Sequence, residues 1–116
     1  MDKDNINTQI LLSVISITAI GISIVLLINN REKLNNKEFL DNPYDINFYN
    51  RLLLTIVFSM FLVTNYKDYI KAKEKGLDLK PFVIQIYASI LILIATVLSL
   101  YVAYIYKIGA LENPDI

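Results

Sequence analysis

The sequence predicts an all-α integral membrane protein with three transmembrane helices. Three observations carry that prediction. Apolar residues make up 55% of the 116 residues, and they collect in three blocks. Each block approaches the ~20 residues needed to cross a ~30 Å hydrocarbon core at 1.5 Å per residue. The segments between the blocks are charged and rich in Asn. A buried helix of a soluble domain this short would still show a polar face every few residues, whereas these blocks are apolar nearly all round. A single three-helix membrane domain over residues 1–116 is expected, with spans at about 8–28, 48–66 and 82–106.

The first block follows a short polar tail, MDKDNINTQ, with one Lys against two Asp. Its apolar run is too long for a typical signal-peptide core. The following INNREK has no small-x-small cleavage site. It reads as a retained span. The first loop carries Arg31, Lys33 and Lys37 against Glu32, Glu38, Asp41 and Asp45, and Asn42-Pro43 marks a turn. Asp45 or Asn47 is expected to cap the second helix.

That helix has no breaker after Tyr66, so it is expected to project beyond the bilayer to about Lys75. Gly76 is then a natural C′ residue. Lys80-Pro81 opens the third helix with Pro near its first position, and the tail after it is closed by Pro114. Phe48, Tyr49, Tyr66, Tyr69, Phe82, Tyr87, Tyr101, Tyr104 and Tyr106 gather toward block ends, as in an interfacial aromatic belt.

Three spans put Lys3, Lys67, Lys71, Lys73, Lys75 and Lys80 on one side, and Arg31, Lys33, Lys37, Arg51 and Lys107 on the other. That near balance selects no orientation under the positive-inside rule. Arg51 is the one charge near a span interior. It lies within a turn of the expected helix start and reads as an interface anchor that snorkels outward. Pairing with Asp45 or a Glu is the alternative.

Polar residues recur within the spans. Gln85, Ser89, Ile92, Thr96, Ser99, Ala103 and Tyr106 follow a 3.5-residue repeat, so they share one helix face. Gln9, Ser13, Ser16, Ile20, Ser23 and Leu27 do the same in the first block, and Asn47, Arg51, Thr55 and Ser59 stand four apart in the second. Small and hydroxyl residues let membrane helices approach and hydrogen-bond across the gap. Gln9, Ser13, Ser16, Ser23, Thr55, Ser59, Gln85, Ser89, Thr96 and Ser99 are therefore expected to be helix-packing residues. A hydrated track for protons or ions is the alternative, and such tracks usually need intramembrane carboxylates or His, which these blocks lack.

The chain has no Cys, and no His. That removes disulfides, thiol nucleophiles, His bases and the usual soft metal sites. No catalytic constellation, metal site or cofactor is expected. Net charge is zero and the Lys residues are confined to loops and ends, which gives nucleic-acid binding no support.

Two short patches carry a family resemblance. The third helix ends Tyr104-Ile105-Tyr106-Lys107-Ile108-Gly109-Ala110-Leu111-Glu112, and the second opens Tyr44-Asp45-Ile46-Asn47-Phe48-Tyr49. With three spans and a long polar first loop, this resembles subunit 3 of the respiratory NADH–quinone oxidoreductase, complex I. There the third helix ends Y-x-W-x-x-G-A-L-E-W and the second opens F-D/N-I-R-F/Y-Y. Tyr106 stands in place of the family's Trp, and the chain departs from the pattern in three further ways. The first loop has no Y-E-C/S-G motif. Phe58, Ser59, Met60 and Phe61 stand where the family has F-D-x-E. The connection between the second and third helices is longer. The resemblance implies a divergent subunit beside the quinone-site and proton-pumping arms, without a cofactor of its own. Its first loop would face the matrix or cytoplasm.

The expected function is thus a small non-catalytic subunit of a larger complex in a mitochondrial or bacterial inner membrane, with the lipid bilayer and other membrane subunits as partners. A self-assembling small membrane protein such as a phage holin is the alternative. Holins of that kind usually end in a basic tail, and this one ends ENPDI.

Overall fold

A computed structural model describes residues 3–112, and side chains through residue 110. The Pro-closed tail lies outside the described residues. Three helices account for most of the described chain: α1 Lys3–Lys33, α2 Pro43–Glu74 and α3 Lys80–Glu112. All three are long and apolar enough to cross a membrane. The all-α class with three candidate spans is therefore observed, and the helices outrun the apolar blocks at both ends. The longest dimension is 60 Å, about twice a ~30 Å hydrocarbon core.

The helix ends follow local chemistry. α2 starts at Pro43 with Asn42 as N-cap, earlier than a cap at Asp45 or Asn47 would place it. Pro suits this first position because its φ is already helical and its missing N–H would have had no intrahelical partner. The Asn42 side chain makes no capping bond. Asp45 instead supplies negative charge in the first turn.

α2 ends where the sequence predicts. Gly76 adopts φ +69°, its N–H donates to Lys73 O, and the Leu77 N–H donates to Ala72 O. That pair of bonds is the Schellman arrangement. α1 ends the same way with Asn36 at φ 58°, its N–H on Lys33 O and the Lys37 N–H on Glu32 O. Asn replaces Gly there because its short polar side chain tolerates the left-handed region. Beyond it, the buried Asn29 Oδ1 accepts the Phe39 and Leu40 N–H groups at 2.9 and 3.0 Å, folding the loop back on α1. At α3, Asp78 Oδ1 accepts the Lys80 N–H.

All helix packing runs through α2. α1 and α3 each lie antiparallel against it, and no Cα of α1 comes within 8 Å of a Cα of α3. Buried positions recur every seven residues: Leu12, Ala19 and Leu26 in α1; Asn50, Val57 and Thr64 in α2; Ser89, Thr96 and Ala103 in α3. That is the spacing of helices that supercoil left-handedly with knobs in holes. Ala19, 0% exposed, marks the closest fit of α1 on α2.

Replacing Gly76 by Ala keeps the space free, since a Cβ there meets nothing within 4 Å, but forces an L residue to φ +69°. The expected cost is ~1 kcal/mol. It should be read as faster amide exchange over residues 73–77 and a lower unfolding midpoint in detergent.

Candidate functional site

Antiparallel pairing brings the polar start of α1, the polar end of α2 and the start of α3 to one end of the bundle. Asp68 is the centre of this cluster and is 8% exposed. Asn5 Nδ2 donates to Asp68 Oδ1 at 2.7 Å and to Thr64 O at 2.9 Å. Gln9 Nε2 donates to Asp68 Oδ2 at 3.1 Å. Each carboxylate oxygen therefore holds one amide donor, and no Lys or Arg among the described residues pairs with it. On the α3 side Asn65 Nδ2 donates to Ser89 Oγ, which donates in turn to Gln85 O.

Between α1 and α3 lies a cleft of about 590 Å³ over α2. Gln9, Asp68 and Gln85 line it toward the polar helix ends, and Phe58, Phe61, Ala88 and Ile92 line the remainder. Phe58 and Phe61 lie against each other with centroids 6.1 Å apart. Among the described residues no three His, Cys, Asp or Glu side chains gather as a metal site. The chemistry available is that of one amide-braced carboxylate above an aromatic and aliphatic trough.

The opposite end of the same α2 face is different. A second cleft of about 530 Å³ is lined by Asn47, Arg51, Tyr44, Lys33 and Tyr106. Arg51 is half-buried and has no ion pair among the described residues. Asp45, the partner considered for it, stands 4.0 Å from Lys107 instead. The Lys107 ammonium also lies over the Phe48 and Tyr49 rings at 4.6 and 4.9 Å. Tyr44 stacks on Tyr106 at 6.3 Å. This end holds an aromatic and basic collar, and Tyr66 stacked on Tyr69 at 6.2 Å supplies rings at the other end.

The sequence-predicted packing residues divide. Ser89 and Thr96 are buried, and Gln9, Ser16, Ser23, Thr55, Ser59 and Ser99 are half-buried. Ser13 and Gln85 are exposed and line the cleft rather than a helix seam. The true α1 seam is rotated by one residue, to Leu12, Ala19 and Leu26. Ile20 and Leu27, at 55% and 67% exposure, face outward.

The hydroxyls also bond differently from expectation. Ser13, Ser16, Ser23, Thr55, Ser59, Ser89 and Thr96 each donate to the carbonyl four residues back in their own helix. A short hydroxyl side chain reaches that carbonyl before it reaches another helix. The donors that cross between helices are amides. Besides Asn5, Gln9 and Asn65, Asn50 Nδ2 reaches Ala19 O and Ser23 Oγ, both at 3.1 Å. Sequence reasoning missed Asn5, Asn50, Asn65 and Asp68. The available signal was Asn and Asp recurring at 50, 65 and 68 on one side of a helix that otherwise reads as a span.

Comparison with protein-family models, with curated proteins and with solved structures returned no match.

Asn5 and Asp68 are expected to be energetically coupled. Asn5→Ala alone leaves a buried carboxylate oxygen short of a donor, costing ~1–3 kcal/mol. Asp68→Asn in the same chain should recover part of that loss. A double-mutant cycle on unfolding in mixed micelles measures the coupling, and strict additivity would remove Asp68 as the organiser of this end.

Proposed function

We propose that the chain is a small non-catalytic integral membrane subunit that packs among helices of other polypeptides. Its finer reading is a divergent subunit 3 of a proton-pumping NADH–quinone oxidoreductase. The observation that carries the subunit reading is the openness of the trio. No Cα of α1 lies within 8 Å of a Cα of α3, and only 17%, 17% and 11% of the most apolar windows of α1, α2 and α3 are buried. The remaining circumference meets lipid or other helices. Small residues that suit close backbone approach face outward from both outer helices: Thr18 and Gly21 on α1, Ala88 and Ala95 on α3. A Cβ built on Gly21 meets nothing within 4 Å, so this glycine is not required by packing within the chain.

The finer reading is supported by where its two patches lie. Tyr44 and Asp45 from the start of α2 meet Tyr106 and Lys107 from the end of α3. The two patches that carry the resemblance thus meet at one end of the bundle.

Tagged chain recovered from native membranes in mild detergent should migrate with a mega-dalton assembly carrying NADH–quinone oxidoreductase activity. Gly21→Leu or Ala95→Leu should weaken that association by ~1 kcal/mol or more while membrane insertion persists, since Leu is at least as apolar. A large assembly without that activity would retain the subunit reading and remove the finer one. A stable particle containing only this chain, indifferent to both substitutions, would remove both in favour of a self-assembling protein.

A further inference from the structure

We propose that the cleft at the Asp68 end binds a phospholipid with a primary ammonium head group. The ammonium sits on the Asp68 carboxylate and an acyl chain lies along Phe58, Phe61 and Ile92. The inference stands on the cleft alone and does not depend on which polypeptides flank the trio.

Three features of the cleft select this ligand. The first is size. A volume of about 590 Å³ falls within the ~300–1,000 Å³ of small-molecule sites.

The second is a gradient of polarity that runs with membrane depth. Asp68, Gln9 and Gln85 lie where the uncharged blocks give way to the polar ends of all three helices. Phe58 lies almost three turns closer to the bilayer centre along α2, ~15 Å at 1.5 Å per residue. A soluble ligand would not need that gradient, whereas an amphiphile lying in the bilayer matches it: head at the surface, chain inward.

The third is charge. Asp68 is buried, its two oxygens hold one amide each, and no cation among the described residues pairs with it. An ionised carboxylate offers about four acceptor positions, so two remain. A primary ammonium brings three N–H donors and the missing positive charge, and a buried charge is tolerated when it is paired and hydrogen-bonded. The rest of this end is basic. Lys67, Lys71 and Lys80 are exposed at the same end of the bundle, and Lys71 is one turn beyond Asp68 on the water side. A simple amine would be repelled by them. A zwitterionic head group places its phosphate among the lysines and its ammonium on the carboxylate. An anionic lipid has nothing to offer Asp68 and brings further negative charge toward it.

The test uses the full chain purified in detergent and exposed to an equimolar mixture of phosphatidylethanolamine, phosphatidylcholine and phosphatidylglycerol. Retained lipid is counted by mass spectrometry of the intact protein. Wild-type chain is expected to retain the ethanolamine lipid about tenfold over the glycerol lipid, the ratio that one charge-assisted hydrogen bond supplies. The choline lipid should be retained less than the ethanolamine lipid, because its quaternary nitrogen has no N–H. Asp68→Asn should abolish the preference.

Asp68 also braces the bundle, so a second variant guards the result. Ala88 is exposed and lines the cleft, so Ala88→Phe fills the cleft without touching the Asn5–Asp68–Gln9 network. It should reduce retention of the ethanolamine lipid while helicity is unchanged. Equal or greater retention of phosphatidylglycerol by wild type would overturn the proposal, as would an undiminished ethanolamine preference in either folded variant.

Discussion

Every close backbone approach between the three helices uses α2, and the rest of the structure follows from that constraint. α1 and α3 pack on α2 and not backbone to backbone on each other, so α2 must offer two packing faces along an apolar helix. Lipid tails are as apolar as Leu, so burying aliphatic surface between helices gains little. Close fit and directed hydrogen bonds must hold the trio. The close fit comes from small residues at seven-residue spacing, Ala19 on one side and Ser89, Thr96 and Ala103 on the other. The directed bonds come from amides. Asn50 anchors α1 toward one end of α2, Asn5 and Gln9 anchor it at the other, and Asn65 anchors α3. Each such bond contributes only ~0.6–2 kcal/mol. Their placement at both ends of α2 still fixes register along its length, because sliding either neighbour by one residue would leave buried amides without acceptors.

The number of helices, their limits near Gly76 and Pro81, and the uneven division of charge between spans and loops were legible in the sequence. They depend on length, composition and local turn chemistry, all of which one chain displays. The packing faces were legible only to within one residue of rotation. In α1 the row Ser13, Ile20, Leu27 and the row Leu12, Ala19, Leu26 share the same period. Only the surface of α2 decides between them. The Ser-rich row looked more polar and so more interior, yet its hydroxyls satisfy themselves on their own helix. A Ser in a membrane helix marks a small side chain and says little about a partner. An Asn does say something, because its amide has two donors and an acceptor, more than a single carbonyl of its own helix satisfies. Asn50 and Asn65 were the stronger signals, and apolar periodicity drew attention away from them.

The two clefts have a common origin. α1 and α3 pack on different sides of α2 and leave a strip of its surface open between them. Here the gap-side residues of α2 run Tyr44, Asn47, Arg51, Phe58, Phe61, Asn65 and Asp68, a single 3.5-residue row. At mid-height Leu54 is buried and separates the two openings. The result is one groove with a basic, aromatic end and an acidic, amide-lined end.

The fates of the two charges in that groove differ for a reason set by chain direction. Every Cα–Cβ bond of a helix tilts toward the helix N-terminus. Arg51 lies in the N-terminal third of α2, so its tilt and its long stem carry the guanidinium outward to the near surface. It can be hydrated there and needs no partner in the chain. Asp68 lies in the C-terminal third, so the same tilt turns its carboxylate inward, toward the bilayer. Its single methylene is too short to reach back to water. A carboxylate held there without donors would cost several kcal/mol, and the chain meets that cost with the amides of Asn5 and Gln9. The polar start of α1 is thereby committed to lie against the end of α2. A tail that reads in isolation as a solvated leader to the first span is the segment that keeps this charge in place.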